Sequence, residues 1–196
     1  MNVAIIGAGN IGGTLATALA RAGHEVTVGV RDPAGRSVDG CAVTDLAGAL
    51  DGAEAVVLAQ PGPAVEPYLA EHGSALEGVV VIDAANSVGG GGTTHHAAAF
   101  AEHAPGALMV RAFNTLGWEN FGDPVFGDEV ADLFWCGPDG RASDVAERLI
   151  RDVGLRPVRV GGPEAVDVVD ALLPVWFTLS RAYGTRRLAF RTLGLD

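Results

Sequence analysis

A chain of 196 residues, 48% of them hydrophobic, can bury one substantial core but is too short for two full enzyme domains. Its formal net charge of -11 at pH 7 argues against nucleic acid and anionic membrane surfaces as partners, since both call for a concentrated positive field. No uninterrupted apolar stretch reaches bilayer-spanning length, and the chain opens directly into a strand without a basic leader, so the expected setting is the cytoplasm.

The first predicted strand, residues 3–6, is an apolar run of the kind required by burial on both faces, and residues 11–21 carry an apolar helical face. Between them lies a Gly-x-Gly-x-x-Gly turn. Gly7 permits the tight turn, Gly9 admits a phosphate close to backbone, and Gly12 allows the helix to pack closely on the strand. Exposed helix N–H groups then face the anion. Gly7, Ala8, Gly9, Asn10, Ile11 and Gly12 are therefore predicted to hold the pyrophosphate of a dinucleotide.

The second strand, within residues 24–31, lacks the terminal acidic residue that accepts hydrogen bonds from the ribose 2′-OH of NAD. Arg31 arrives about twenty residues after the glycine turn, where a guanidinium pairs with the 2′-phosphate of NADP, and Arg36 stands near enough to assist. NADP(H) is the expected cofactor. Asp32 keeps NAD open, because a small shift of the strand end would turn its carboxylate toward the ribose.

Residues 41–43 read as a short third strand, 45–50 as a helical turn or two, 53–59 as a strongly apolar fourth strand and 63–72 as a helix. A buried strand at 79–84, the glycine run at 89–92, a helix at 94–103 and a strand at 108–113 follow. Such alternation predicts an α/β fold, a doubly wound parallel Rossmann sheet with its ligand beyond the carboxyl ends of the strands. The pattern resumes with a strand at 132–136, a helix at 143–153 with Ser143 as N-cap and Gly154 beyond its end, and a strand at 156–160. Residues 163–195 read as helix interrupted near Pro174, with Val168, Leu172, Val175, Trp176 and Leu179 in one apolar stripe. The expected organisation is a dinucleotide-binding domain at 1–162 and a short C-terminal helical extension at 163–196. That extension must pack on its own sheet or on a second subunit, which points to a homodimer.

Two loops after strands should face the nicotinamide end. One offers Gln60 and Pro61, the other Asn86; the two amides suit ribose hydroxyls or a carboxamide. A third loop is expected to turn Asn114 and Thr115 toward the same crevice as substrate-side residues. Hydride transfer between rings needs alignment and exclusion of water rather than a protein nucleophile. The sequence shows no Ser/His/Asp arrangement, paired carboxylates or Tyr-x-x-x-Lys pair, and this favours an acceptor that takes hydride onto a ring. His95 and His96 point apart on a helix start and have no third partner in the sequence, so no metal is expected. Cys41 and Cys136 sit in separate apolar settings and predict no disulfide. Arg181, Arg186, Arg187 and Arg191 read either as a solvated helix face or as a site for an anionic substrate tail.

With these residues assembled, the chain resembles the NADP-dependent reductases of the deazaflavin coenzyme F-420, a Rossmann branch also similar to the cytosolic domains of membrane ferric reductases. The resemblance rests on Ile6-Gly-Ala-Gly-Asn-Ile-Gly12, Val28-Gly-Val-Arg31, Val81-Ile-Asp-Ala-Ala-Asn86, Arg111-Ala-Phe-Asn-Thr-Leu-Gly-Trp-Glu-Asn120, Cys136-Gly137 and Gly154-Leu-Arg-Pro-Val158. It implies an NADP site at Ala8, Gly9, Asn10, Ile11 and Arg31, with coenzyme F-420 or a flavin-like ring over the nicotinamide. The serine common before the phosphate-binding arginine is Val30 here, and the next basic position is Asp32. The expected function is therefore an NADP(H)-dependent oxidoreductase acting on a small-molecule redox substrate by direct hydride transfer. Two alternatives stand beside it: a reductase of a small imine or carbonyl metabolite, protonated by water or a residue such as Thr115, and a non-catalytic NAD(P)-binding sensor.

Overall fold

The computed structural model describes residues 1–88 and 93–195. Its eight-stranded sheet has the order β10-β9-β6-β5-β4-β1-β2-β3. These strands are β1 (Asn2–Ile6), β2 (Glu25–Gly29), β3 (Ala42–Thr44), β4 (Ala55–Leu58), β5 (Val80–Asp83), β6 (Leu108–Arg111), β9 (Asp132–Cys136) and β10 (Arg156–Gly161); β7 (Val125–Phe126) and β8 (Glu129–Val130) form a separate hairpin. The six strands from β3 to β6 run parallel; β9 meets β6 antiparallel through the pair Arg111 and Cys136, then pairs parallel with β10. The expected parallel Rossmann sheet thus carries one antiparallel seam near its edge, where the β7–β8 hairpin reverses the chain.

Helices cover both faces, which explains the unbroken apolar runs of the central strands. Val3 and Ile5 of β1 point to the side of α1 (Asn10–Arg21) and α4 (Arg141–Asp152), where they join Leu15, Leu19, Leu149 and Ile150. Ala4 and Ile6 point the other way, toward Val65 and Leu69 of α2 (Val65–His72) and Phe100 of α3 (Ala97–His103). Period-2 alternation therefore feeds two apolar layers from one strand.

Local corrections have local causes. Ser143 is not the N-cap of α4: Gly140 holds that position and the Ser143 hydroxyl donates back to its carbonyl at 2.8 Å. The other end matches expectation, since Gly154 (φ +95°) donates to the Arg151 carbonyl and Leu155 to that of Ile150, closing the helix in a Schellman motif. α3 begins at Ala97 rather than 94, because Thr94, His95 and His96 turn their side chains to tertiary partners. The glycine run 89–92 lies outside the described residues.

The predicted helical tail divides. α5 (Val166–Asp170) and α6 (Leu172–Tyr183) break at Ala171, and Pro174 sits in the first turn of α6, where its missing N–H costs nothing. α6 ends at Gly184 in the left-handed region (φ +63°), after which the chain is not helical. The apolar stripe does not bury as a unit: Trp176 is buried, whereas Val168 and Val175 are exposed. The final segment instead returns to the body. The Trp176 indole donates to the Leu188 carbonyl at 2.8 Å, and Phe190 bridges to Asp132 at the start of β9. Arg187 and Arg191 lie in this segment rather than on a solvated helix face; they ion-pair with Asp123 and Glu129.

Candidate active site

At the carboxyl ends of β1, β2, β4 and β5 the loops part to form a crevice of about 1520 Å³. Ligand pockets commonly measure about 300–1,000 Å³, so there is room for a dinucleotide and a second ligand. Gly7, Ala8, Gly9, Asn10 and Ile11 line it beside β1; Arg31, Asp32 and Arg36 beside β2; Gln60, Pro61 and Gly62 beside β4; and Ala84, Ala85 and Asn86 beside β5. Trp118 and Arg186 close the wall contributed by the second half of the chain. This is the position between the two halves of a doubly wound sheet where ligands bind.

The glycine turn fits a pyrophosphate on direct geometric grounds. Gly7 has φ +111°, a conformation a side chain would strain, and a Cβ on Gly12 would overlap the Gly7 carbonyl oxygen. Gly9 faces open space: a Cβ there would meet nothing within 4 Å. Helix α1 starts with no side-chain cap and no acidic residue in its first turn, leaving its amide donors for an anion. Gly12 is buried under the turn, so it packs helix on strand without lining the crevice.

The distribution of cations is equally informative. All thirteen basic residues are arginines. Among the described residues, Arg31, Arg36 and Arg181 alone have no hydrogen-bonding or ion-pair partner for their guanidinium; Arg31 and Arg36 both line the crevice. Asp32, which left NAD open, accepts the Ala34 amide at 3.2 Å in a turn.

Under the β5 loop lies a buried polar cluster. Arg111, fully buried, makes a bidentate pair with Asp170 of α5 (Nε to Oδ1 2.8 Å, Nη2 to Oδ2 3.2 Å), and its Nη1 lies 3.0 Å from Asp83 Oδ2. It also donates to the Ala85 carbonyl at 2.5 Å and to Asn86 Oδ1 at 2.6 Å. One guanidinium thus ties the end of β5 and its loop to α5. The Thr94 hydroxyl donates to Asp170 from another side. Phe113, held at φ +60°, is the one non-glycine residue with positive φ among those described, and it redirects the chain as it leaves the sheet.

Several predicted site residues are differently employed. Asn114 and Thr115, expected to face the crevice, are buried and do not line it: Asn114 Nδ2 donates to Asp170 Oδ1 at 2.8 Å, and Thr115 is fully enclosed. Asn86 lines the crevice, but its amide is engaged at both ends, since Nδ2 donates to the Asn114 carbonyl at 2.9 Å. Gln60 donates to the Ala64 carbonyl at 3.0 Å. Arg186 lines the crevice while pairing with Glu119 at 2.5 Å and stacking over Trp176.

Asp83, Arg111 and Asp170 are not among the residues expected at the site. A signal existed: Asp83 and Arg111 each interrupt an apolar strand, and a charge buried on both faces must be paired. They are register partners on β5 and β6. The absence of a Ser/His/Asp arrangement is also corrected: Ser87, His96 and Asp83 converge, with His96 Nε2 3.0 Å from Ser87 Oγ and its Nδ1 3.0 Å from Asp83 Oδ2. His96 is buried, while His95 turns to Asp167 at 3.1 Å. Among the described residues no group of three His, Cys, Asp or Glu side chains is placed to hold a metal.

Residues 2–87 match the family model of coenzyme F420-dependent NADP oxidoreductases. No curated protein matches the sequence. Among solved structures, a candidate F420-dependent NADP-reductase from Arthrobacter sp. FB24 is 29% identical, with 98% of this chain and 99% of that one covered and a TM-score of 0.84. A hypothetical protein from Sinorhizobium meliloti is also 29% identical, with coverages of 83% and 85% and a TM-score of 0.71. An imine reductase from Streptomyces aurantiacus, 21% identical, shares the fold at TM-score 0.71; the alignment takes in 94% of this chain and 64% of that longer one.

Fold and crevice define a Rossmann-type NAD(P)-binding oxidoreductase. Within that class, the chain is similar to the F420-dependent NADP oxidoreductases over residues 2–87 and to the Arthrobacter protein over nearly its whole length.

Proposed function

We propose that the protein is an NADP(H)-dependent oxidoreductase that passes hydride between nicotinamide and a deazaflavin or flavin-like ring. The observation that carries this reading is the crevice itself. One end offers two unpaired guanidiniums, Arg31 and Arg36; the middle is the open cradle at Gly9; and beyond the β4 and β5 loops stand Trp118 and Arg186. A 2′-phosphate suits the first, a pyrophosphate the second. A planar acceptor with an anionic substituent suits a half-exposed indole beside a guanidinium. When bound, the nicotinamide supplies the hydride; the chain aligns the two rings and excludes water. The printed description of the Arthrobacter relative supports the same acceptor class.

Leu46 and Pro67 offer apolar surface near the Arg31 end for an adenine, and Ala84 and Ala85 place small side chains where a nicotinamide ring must approach the loop closely. Residues 1–162 hold the dinucleotide in this reading, and 163–196 complete the acceptor wall. Val168, Val175 and Tyr183 leave apolar surface exposed on the extension, in keeping with a homodimer that sedimentation would detect.

The test is oxidation of NADPH and NADH by the purified protein with coenzyme F-420, FMN and a panel of cyclic imines and carbonyls. Fast NADPH-linked reduction of F-420 is expected; turnover with imines or carbonyls alone would transfer the protein to the metabolite reductases. Arg31→Ala should weaken NADPH about ten- to hundredfold and NADH far less, as expected for loss of one charge-assisted contact. Equal weakening of both cofactors would remove the phosphate role from Arg31.

A further inference from the structure

The acceptor wall of the crevice is built around one guanidinium. After α6 ends at Gly184, the chain is pinned at three carbonyls: the Ser180 hydroxyl donates to that of Thr185 at 2.7 Å, and Asn120 Nδ2 donates to those of Arg186 and Leu188 at 3.1 and 3.2 Å. The Arg186 side chain is fixed as well. Its Nε donates to Glu119 Oε1 at 2.5 Å, and its guanidinium lies over the Trp176 ring at 5.1 Å. Glu119 Oε2 is enclosed without a hydrogen-bonding partner among the described residues, so the carboxylate serves Arg186. A Cβ on Gly117 would lie 2.5 Å from that oxygen and 2.9 Å from the indole, so glycine leaves the room in which these groups meet. The two terminal nitrogens of Arg186 have no hydrogen-bonding partner among the described residues, and the half-exposed side chain lines the crevice. The same wall lacks an acid. Among the described residues that line the crevice, Asp32, Tyr68 and Glu71 are the titratable side chains other than arginines. Asp32 stands at the β2 end with Arg31 and Arg36, while Tyr68 and Glu71 belong to α2, on the face of the sheet opposite Trp176.

We infer that Arg186 stabilises the negative charge that hydride transfer creates on the acceptor ring, and that the hydride step takes no proton from the protein. The inference rests on the hydride-transfer reading above and narrows its substrate class to a neutral conjugated ring able to hold that charge. Hydride leaves a C–H bond of the dihydronicotinamide with both electrons and forms one new bond to a ring atom of the acceptor. The acceptor's displaced electron pair moves onto a conjugated nitrogen or carbonyl oxygen, where the free Arg186 nitrogens meet it as an anion. NADPH is oxidised, the ring is reduced, and solvent supplies the proton once the product leaves. A simple ketone would instead become a strongly basic alkoxide, which calls for an acid that this wall does not hold. A cationic iminium would be repelled by the same guanidinium. Arg186 is the catalytic residue in this account; Glu119 and Trp176 act through it and are positioning residues.

Two readouts test this, and the first needs no turnover. Lumiflavin carries the flavin ring without a phosphate; at mildly alkaline pH its oxidised form is neutral and its reduced form an anion. Dissociation constants of both forms are measured anaerobically with tetrahydro-NADP bound, a cofactor that cannot donate hydride. The reduced form should bind about tenfold more tightly or better, Arg186→Met should bring the two forms within about twofold, and Arg186→Lys should keep part of the preference. Glu119→Ala, which frees the guanidinium, should shrink the preference without abolishing it. Equal constants in the wild type, or a full preference in Arg186→Met, would overturn the inference. So would a loss of FMN binding in Arg186→Met with lumiflavin unaffected, which would assign Arg186 to an anionic substituent. Failure of tetrahydro-NADP, or of both lumiflavin forms, to bind would instead overturn the proposed function. The second readout is single-turnover reduction of lumiflavin by NADPH in H2O and in D2O. Equal rates are expected, with Arg186→Met slowing the step about a hundredfold. A solvent isotope effect above about twofold would put a proton in flight with the hydride and sink the inference. Lumiflavin that binds but is never reduced would count against the flavin-like acceptor itself.

Discussion

Two glycines three positions apart show how differently neighbouring residues are constrained. Gly9 borders empty crevice, so Gly9→Ala should leave the melting temperature unchanged and lower NADPH affinity tenfold or more, because the new methyl occupies phosphate space. Gly12 is wedged against the Gly7 carbonyl and the Ala59 side chain. Gly12→Ala should therefore destabilise the fold by about 1–3 kcal/mol, as overpacking does, and lose cofactor binding as a result. Thermal melts paired with calorimetry separate the two; equal melting temperatures would refute the packing role of Gly12. The buried Cys136 makes a simpler point: burial pushes its thiol up to about 11, so it is a small apolar filler rather than a nucleophile.

At the scale of elements, two arginines act as ties. Arg111 joins β5, its loop and α5 through buried charges, and Arg111→Met would leave Asp83 and Asp170 without their cation. A loss of about 3–5 kcal/mol is expected in chemical denaturation, and a loss below 1 kcal/mol would show that the cluster is not a tie. Arg156 grips Asp132 in a bidentate pair (2.6 and 2.9 Å), and Asp132 also accepts the Thr192 amide at 2.6 Å, so one carboxylate docks the last segment onto β9. Burial alone would raise the Asp132 pKa, but the Arg156 and Thr192 hydrogen bonds and the Arg156 charge outweigh it and hold the group below the usual carboxylate range. A pKa lowered by folding stabilises the folded state above the unfolded value, and that stabilisation is lost as pH falls through the lowered one. The segment from Leu188 onward should therefore lose hydrogen-exchange protection in acid before the sheet does. Asp132→Asn should show the same fraying at neutral pH; wild-type protection in that variant would count against the dock.

For the whole molecule, the parts legible in the sequence were those governed by short-range rules. β1, the glycine turn and α1 occupy the twenty consecutive positions 2–21, so strand, cradle and helix could be read together, and the central strands announced themselves as apolar runs because both faces are covered. The crevice position followed from alternation of strand and helix, and Arg31 from its distance along the chain. No helix among the described residues is long and apolar enough to cross a membrane. Other features depend on partners far apart in sequence. Asn114 and Thr115 lie below the crevice because Asp170, fifty-six residues beyond Asn114, draws the loop inward. The tail stops being helical at Gly184 because carbonyls of the following segment satisfy Trp176 and Asn120. Ser87 and His96 meet over Asp83 only once β5 and the start of α3 are side by side. Periodicity and turn chemistry act through neighbouring residues and were determined by the sequence alone. Which buried charge finds which partner depends on distances that exist only after the chain has packed, and the tertiary structure alone decided it.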